Sequence, residues 1–81
     1  MARVSGQSDG DRHLLALGAA IRAVRKVHGL SQEALADAAG IDRSHMGKIE
    51  RGERNVTMLN VVRIAVALHA KPSELLREAG L

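Results

Sequence analysis

Residues 30–52 read LSQEALADAAGIDRSHMGKIERG, and the spacing within this stretch is typical of two short helices joined by a tight turn. Ser31 and Asp42 are residue types that favour helix N-caps, and Gly40 lies between the two segments. Glycine there permits the positive φ angle that a sharp turn requires. Ala36 lies four residues before Gly40, and its small side chain lets the two helices cross closely. The stretch therefore predicts a helix-turn-helix motif.

Three further helices are predicted around this motif. A first helix, ending before Gly29, is indicated by one apolar face made of Leu14, Leu17, Ile21 and Val24. Thr57 is a candidate N-cap for a fourth helix that extends to about His69. Pro72 suits the first turn of a short fifth helix, although Lys71 is a poor N-cap residue. Since no segment alternates with the period of a strand, the sequence predicts an all-α fold of five helices.

The composition bounds the size and location of the protein. The chain has 81 residues and a formal net charge of +3, and it contains no cysteine, phenylalanine, tyrosine or tryptophan. We expect one domain over residues 12–81 with a thin core of aliphatic residues and alanines, preceded by a flexible polar arm over residues 1–11. Without disulfides or a bilayer-spanning apolar segment, we expect a cytoplasmic protein with no membrane partner. The mild positive charge allows a nucleic-acid partner without requiring one.

The outer face of the predicted third helix, at about residues 43–51, carries basic and small polar side chains. Met46 and Ile49 fall on the side that faces the core. The outer side then holds three candidate base contacts, Arg43, Ser44 and Lys48. In a helix-turn-helix, the first turn of the second helix meets base edges in the major groove. Arginine binds guanine through two hydrogen bonds and serine binds several bases, so this face is chemically suited to base contacts.

Four residues near the motif are predicted to contact DNA phosphates, namely Gln32, Arg51, Arg54 and Asn55. Gln32 begins the second helix, where free backbone amides and the helix dipole favour an anion. The others lie at or just beyond the end of the third helix. Gly47 falls on the same outer face, where a missing side chain would allow close approach of DNA. A basic surface that faces only water is the alternative, but the spacing of Ala36 and Gly40 favours DNA.

The predicted fourth helix is apolar almost all round, whereas a surface helix usually has one apolar stripe. One face can enter the core, and the other requires cover because large exposed apolar patches are rare on monomers. We expect a second copy of the chain to supply that cover, through Leu59, Val62, Val66, Leu75 and Leu76. Two-fold symmetry would then place two third helices about 34 Å apart, one turn of DNA. Cover by the fifth helix of the same monomer is the alternative.

The run GLSQEALA…AGIDRS…IERGERN, within residues of about 14 to 77, resembles the phage-repressor or Xre-type helix-turn-helix family. The portion DRS…IERGERNVT is also similar to the controller proteins of restriction–modification systems. The resemblance implies a lambda-repressor-like domain that binds operator DNA as a homodimer, with DNA contacts at Gln32, Arg43, Ser44 and Lys48. It also implies that Arg25 pairs with Glu50 and braces the first helix against the third. His45 stands where controller relatives usually have an aromatic residue, and Lys71 replaces the usual small capping residue.

The sequence therefore predicts a homodimeric, sequence-specific regulator of transcription that binds double-stranded DNA, with control of its own gene as the simplest circuit. Two alternatives stay open: an antitoxin or other interaction module that uses the apolar surface of the fourth helix, and a restriction–modification controller. No enzyme is expected, because no nucleophile set, phosphate-binding loop or carboxylate pair is present. The four histidines are scattered, so neither a metal nor another cofactor is expected. Only Ala79–Leu81 follow the fifth helix, so no small-molecule effector is expected.

Overall fold

The computed structural model describes residues 9, 10 and 12–81. Five α-helices follow one another along the chain: α1 (His13–Val27), α2 (Gln32–Ala39), α3 (Arg43–Glu50), α4 (Met58–Ala67) and α5 (Pro72–Glu78). No residue in the described ranges forms a β-strand. α2 packs against α3 and α4, while α1 packs against α3 and α5. The prediction of an all-α fold with five helices is confirmed.

The turn between α2 and α3 has the caps that the sequence predicts. The Ser31 hydroxyl caps α2 and the Asp42 carboxylate caps α3, each by accepting the backbone N–H three residues on, at 3.0 and 3.2 Å. Gly40 has a φ angle of 68°. The amide of Ile41 then donates to the carbonyl of Ala36 at 2.9 Å, which ends α2 and turns the chain into α3.

The start of α1 is held by a carboxylate that precedes it. Asp9 accepts hydrogen bonds from the backbone amides of His13 at 3.0 Å and Leu14 at 2.7 Å. The pKa of the Asp9 carboxyl is lowered, chiefly by the hydrogen bond from Leu14. Desolvation has a smaller effect and acts in the opposite direction. The predicted flexible arm over residues 1–11 lies mostly outside the described residues, but Asp9 within it is bound to the helix.

The core is aliphatic and receives side chains from every helix. The largest fully buried side chains are Ile21, Leu35, Met46, Ile64, Leu68 and Leu75. Buried alanines fill the spaces between helices, namely Ala20, Ala36, Ala39 and Ala65. α2 and α3 have 8 residues each, too few for a helix that is stable alone in water. Packing on this shared core therefore stabilises both halves of the helix-turn-helix.

The connection from α4 to α5 differs from the prediction. α4 ends at Ala67 with Leu68 as its C-cap, and His69 adopts a left-handed conformation with a φ angle of 54°. The turn sends α5 back over the core, where Leu75 is fully buried. The prediction that Leu75 contacts a second copy is therefore wrong, because its side chain is already enclosed by the monomer.

No side chain caps the start of α5, as expected from a lysine at the N-cap position. The Glu74 carboxylate compensates by accepting the backbone N–H of Lys71 at 3.0 Å, and Pro72 occupies the first turn. This hydrogen bond is one half of a capping box. The entry into α5 is thus held from within the helix.

α1 approaches the end of α3 at a glycine inside the helix. A Cβ atom added at Gly18 would lie 2.5 Å from the carbonyl oxygen of Glu50 and closer still to that of Ile49. Those oxygens belong to backbone, which cannot swing aside as a flexible side chain would. Only glycine at this position allows the two helices their observed separation.

We predict that Gly18→Ala destabilises the protein by about 1–3 kcal/mol, because overpacking at this contact forces the helices apart. The sign is informative, since glycine in a helix interior is ordinarily less stable than alanine by about 1 kcal/mol. Urea unfolding followed by far-UV circular dichroism measures the change without an aromatic reporter. Gly10→Ala is the control for an open site, because Gly10 lies in a turn before α1 and a Cβ there meets nothing within 4 Å. Stabilisation by Gly18→Ala would contradict the close approach.

Candidate nucleic-acid interface

A buried ion pair joins α1 to the end of α3. Arg25 Nε donates to Glu50 Oε2 at 2.8 Å, and Arg25 Nη2 donates to Glu50 Oε1 at 3.0 Å. The two side chains are only 10% and 2% exposed. Arg25 Nη1 also donates to the carbonyl of Leu30 at 2.9 Å, which ties the pair to the loop before α2. The pairing implied by the family resemblance is therefore confirmed.

The ion pair extends to the first residue of α2. Gln32 Nε2 donates to Glu50 Oε1 at 3.1 Å, so one carboxylate links α1, α2 and α3. The Gln32 side chain lies beside Gly47, where an added Cβ would be 3.2 Å from its Oε1 atom and 3.1 Å from Arg51 Nη1. Gly47 is thus buried beneath these side chains. The expectation that Gly47 forms an open spot on the outer face is wrong.

The first turn of α3 projects into solvent. Arg43 and Ser44 are exposed, Lys48 is half-buried one turn further on, and Met46 and Ile49 face the core. The three predicted base contacts thus share a helix whose opposite side is fixed by burial. This arrangement leaves Arg43 and Ser44 accessible to a groove while the helix that carries them cannot rotate.

Arg43 has a partner that the sequence did not predict. Its Nη1 atom lies 3.2 Å from Oε1 of Glu33, which is in the first turn of α2. The two side chains are 66% and 57% exposed, so water screens their attraction. The helix dipole favours a glutamate in the first turn of a helix, so the sequence gives no sign of a further role for Glu33. Its contact with Arg43 arises only because α2 and α3 cross.

Three of the four predicted phosphate contacts lie at or just after the end of α3, and the fourth, Gln32, begins α2. Arg51 and Arg54 are both exposed, and Asn55 lies beside them in the same loop. The Arg51 Nε atom donates a hydrogen bond to the Glu53 carboxylate. This bond is the main reason that the pKa of Glu53 is lowered, and the positive charges of Arg51, Lys48 and Arg54 lower it further. Glu53 therefore remains an anion at neutral pH and partly offsets the cations around it.

α4 presents an apolar stripe to solvent. Met58, Leu59 and Val66 are 63%, 68% and 67% exposed, and Val62 completes the row between them. Leu76, from the predicted dimer interface, is half-buried against the core instead. The second apolar face expected of this helix therefore exists, and α5 of the same chain does not cover it.

Two kinds of feature are absent from the part of the chain that the structure describes. No helix there is long and apolar enough to cross a bilayer. Within the same residues, no group of three or more histidine, cysteine, aspartate or glutamate side chains is arranged to hold a metal ion.

The fold and the exposed first turn of α3 define a helix-turn-helix DNA-binding protein, and a family model described as helix-turn-helix matches residues 21–75. The chain belongs to this family. It is 41% identical over 61 residues to the control protein C.SmaI of Serratia marcescens, across 75% of this chain and 73% of that protein. Its structure is similar to that of the restriction–modification controller protein C.AhdI of Aeromonas hydrophila, with a TM-score of 0.75 and 47% identity, over 76% of this chain and 94% of the other.

The structure of this chain is also similar to that of a regulator with a different name. The clp gene regulator ClgR of Corynebacterium glutamicum has a TM-score of 0.81 and 31% identity, over 84% of this chain and 72% of the other. The fold is thus the lambda-repressor-like fold expected from the family resemblance. The chain is a DNA-binding regulator of transcription.

We predict that Glu50→Ala destabilises the protein by about 3–5 kcal/mol, because it leaves the Arg25 guanidinium buried without its partner. Replacing both charges, as in Arg25→Met with Glu50→Met, should recover most of that loss, since the double variant leaves no buried charge. Urea unfolding monitored by far-UV circular dichroism measures both changes.

Glu33→Ala is the control for the preceding comparison. This variant also removes the carboxylate partner of an arginine. The pair is exposed, and such a pair typically contributes less than about 1 kcal/mol to stability. Equal destabilisation by Glu50→Ala and Glu33→Ala would show that the buried pair contributes no more than a surface pair.

Proposed function

We propose that the chain acts as a homodimer on a specific DNA operator, as a cytoplasmic regulator of the restriction–modification controller type. The observation that carries this proposal is the exposed first turn of α3, where Arg43 and Ser44 are held on a helix fixed by the Arg25–Glu50–Gln32 network. α3 lies in the major groove, with Arg43, Ser44 and Lys48 on base edges. The similarity to C.SmaI and C.AhdI supports the controller type.

Phosphate contacts flank the base contacts in this proposal. Gln32 lies at the amino end of α2, where backbone amides favour an anion, while Arg51, Arg54 and Asn55 approach the backbone from the loop after α3. Such contacts set the register of a protein on DNA, whereas base contacts select the sequence. The folded DNA-binding domain in this proposal occupies residues 12–81.

The second copy of the chain packs on the apolar stripe of α4. The exposed apolar row on α4 consists of Met58, Leu59, Val62 and Val66. It suits a two-fold dimer, because such an interface uses the same patch on both subunits. Leu76 is half-buried against the core, so only part of its side chain can join this interface. The resulting dimer presents two copies of α3 at a spacing of about 34 Å, which matches successive major grooves on one side of the duplex.

An interaction module is the second candidate function, and the same stripe of α4 favours it. A different protein that covered Leu59 and Val66 would bury the same apolar surface. A tight homodimer in the purified protein supports the regulator, whereas a monomer that forms a one-to-one complex with a co-purifying protein supports the module.

The direct test of the proposal is binding of labelled duplex from the upstream region of the protein's own gene, against random duplex, across a salt titration. We expect a preference of about 10³ or more, with a steep loss of affinity as salt rises, because specific binding adds base contacts to phosphate contacts. Weak and equal binding to both duplexes would count against control of its own gene.

We predict that Arg43→Ala reduces affinity for the preferred duplex by about 1–3 kcal/mol and reduces affinity for random duplex much less. Arg54→Ala is the contrasting variant, because loss of a phosphate contact should weaken all sequences alike and reduce the salt slope by about 1. Fluorescence anisotropy of labelled DNA gives both affinities. Equal losses on both duplexes for Arg43→Ala would exclude base recognition by Arg43.

We predict that the double variant Leu59→Glu, Val66→Glu is monomeric and folded, because charges on both sides of the interface oppose burial of the stripe. Sedimentation velocity with interference optics measures the mass without an aromatic chromophore, and far-UV circular dichroism verifies folding. Val27→Glu is the control, since Val27 is 85% exposed at the end of α1 and does not belong to the stripe. A double variant that stays dimeric would move the interface elsewhere.

A further inference from the structure

We propose that Glu33 is a positioning residue for Arg43 and thereby sets how strongly the protein discriminates its operator from other DNA. The inference rests on the proposed function, in which Arg43 contacts a base. Glu33 begins α2 and Arg43 begins α3, and their side chains meet at 3.2 Å on the surface that carries the base contacts. The helix dipole accounts for an acidic residue in the first turn of α2, but it does not account for the contact with Arg43 on a surface where negative charge opposes DNA binding.

The geometry of the pair leaves Arg43 able to bind guanine. An arginine has five N–H donors, and the contact with Glu33 is made at Nη1. The remaining donors include a second pair suitable for O6 and N7 of guanine. Arg43 therefore does not have to release Glu33 when it meets its base. The contact also limits the rotamers of a long exposed side chain before DNA arrives, which lowers the entropy lost on binding.

The same carboxylate disfavours every other mode of binding. On random duplex, Arg43 gains only a phosphate contact, while Glu33 is brought towards phosphates of its own charge. Discrimination increases when an interaction penalises wrong partners as well as favouring the right one. Glu33 thus orients Arg43 for guanine, and its repulsion of phosphates is offset only on DNA where Arg43 gains the guanine contact.

Asp37 provides a matched control. It lies one turn after Glu33 on the same helix and is also exposed, but it has no ion pair among those that the described residues form. Glu33→Gln and Asp37→Asn remove the same charge with almost no change of shape. Any effect of net charge on DNA affinity is common to both variants, so their difference isolates the contact with Arg43.

The experiment is selection of binding sites from a randomised duplex pool by the wild-type protein and by four variants: Glu33→Gln, Asp37→Asn, Arg43→Ala and the double variant of Glu33 and Arg43. The base position whose preference disappears in Arg43→Ala is the position that Arg43 reads. We expect Glu33→Gln to weaken the guanine preference at that position by about fivefold, the upper range for an exposed ion pair. We also expect it to bind random duplex more tightly, while Asp37→Asn keeps the wild-type preference.

The double variant separates positioning from direct recognition. If Glu33 acts through Arg43, then Glu33→Gln causes no further loss of base preference once Arg43 is alanine. A further loss at any position would overturn the proposal, because Glu33 would then read a base itself. Identical preferences for Glu33→Gln and Asp37→Asn would overturn it as well. Selection of no sequence at all by the wild-type protein would instead refute the proposed function.

Discussion

The bidentate contact between Arg25 and Glu50 is the interaction on which the DNA-facing surface depends. Apolar contacts in this core fix how far apart the helices lie, but aliphatic side chains can slide and rotate against one another. Two parallel N–H···O bonds have a preferred plane and direction, so they also fix the orientation of α3 relative to α1. Glu50 accepts a third bond from Gln32, which extends the constraint to the start of α2. The pair acts through geometry, because desolvation offsets much of the attraction between buried charges.

A core without large aromatic side chains explains why glycine and alanine matter so much here. Helices that bury only aliphatic residues and alanines must lie close together to exclude water, and Gly18 lets backbone touch backbone where α1 meets the end of α3. That contact occurs beside Glu50, so this close helix approach and the buried ion pair reinforce each other at one place. Leu75 completes the core from α5, which leaves the outer stripe of α4 without cover from its own chain.

The sequence predicted the helices and the motif well because their signals are local. Ser31, Asp42 and Thr57 act as caps through hydrogen bonds to residues three positions away, and Gly40 acts through its own φ angle. The early end of α4 escaped prediction because an ordinary histidine, His69, adopts the conformation that glycine usually marks. Contacts between helices gave no such signal, so the roles of Gly18 and of Glu33 became visible only once the helices were packed.

Two basic residues of the motif already have acidic partners, so fewer cations are free to contact DNA than the number of basic residues indicates. Arg43 lies against Glu33 and Arg51 against Glu53, so the surface offers paired charges rather than a uniform positive patch. Exposed pairs of this kind contribute little stability. In the proposed binding mode, guanine binds the donors of Arg43 that Glu33 leaves open, while DNA that offers only phosphate meets a nearby carboxylate. On the proposed role of Glu33, a small protein with a net charge of only +3 would gain selectivity from where its charges lie rather than from how many it carries.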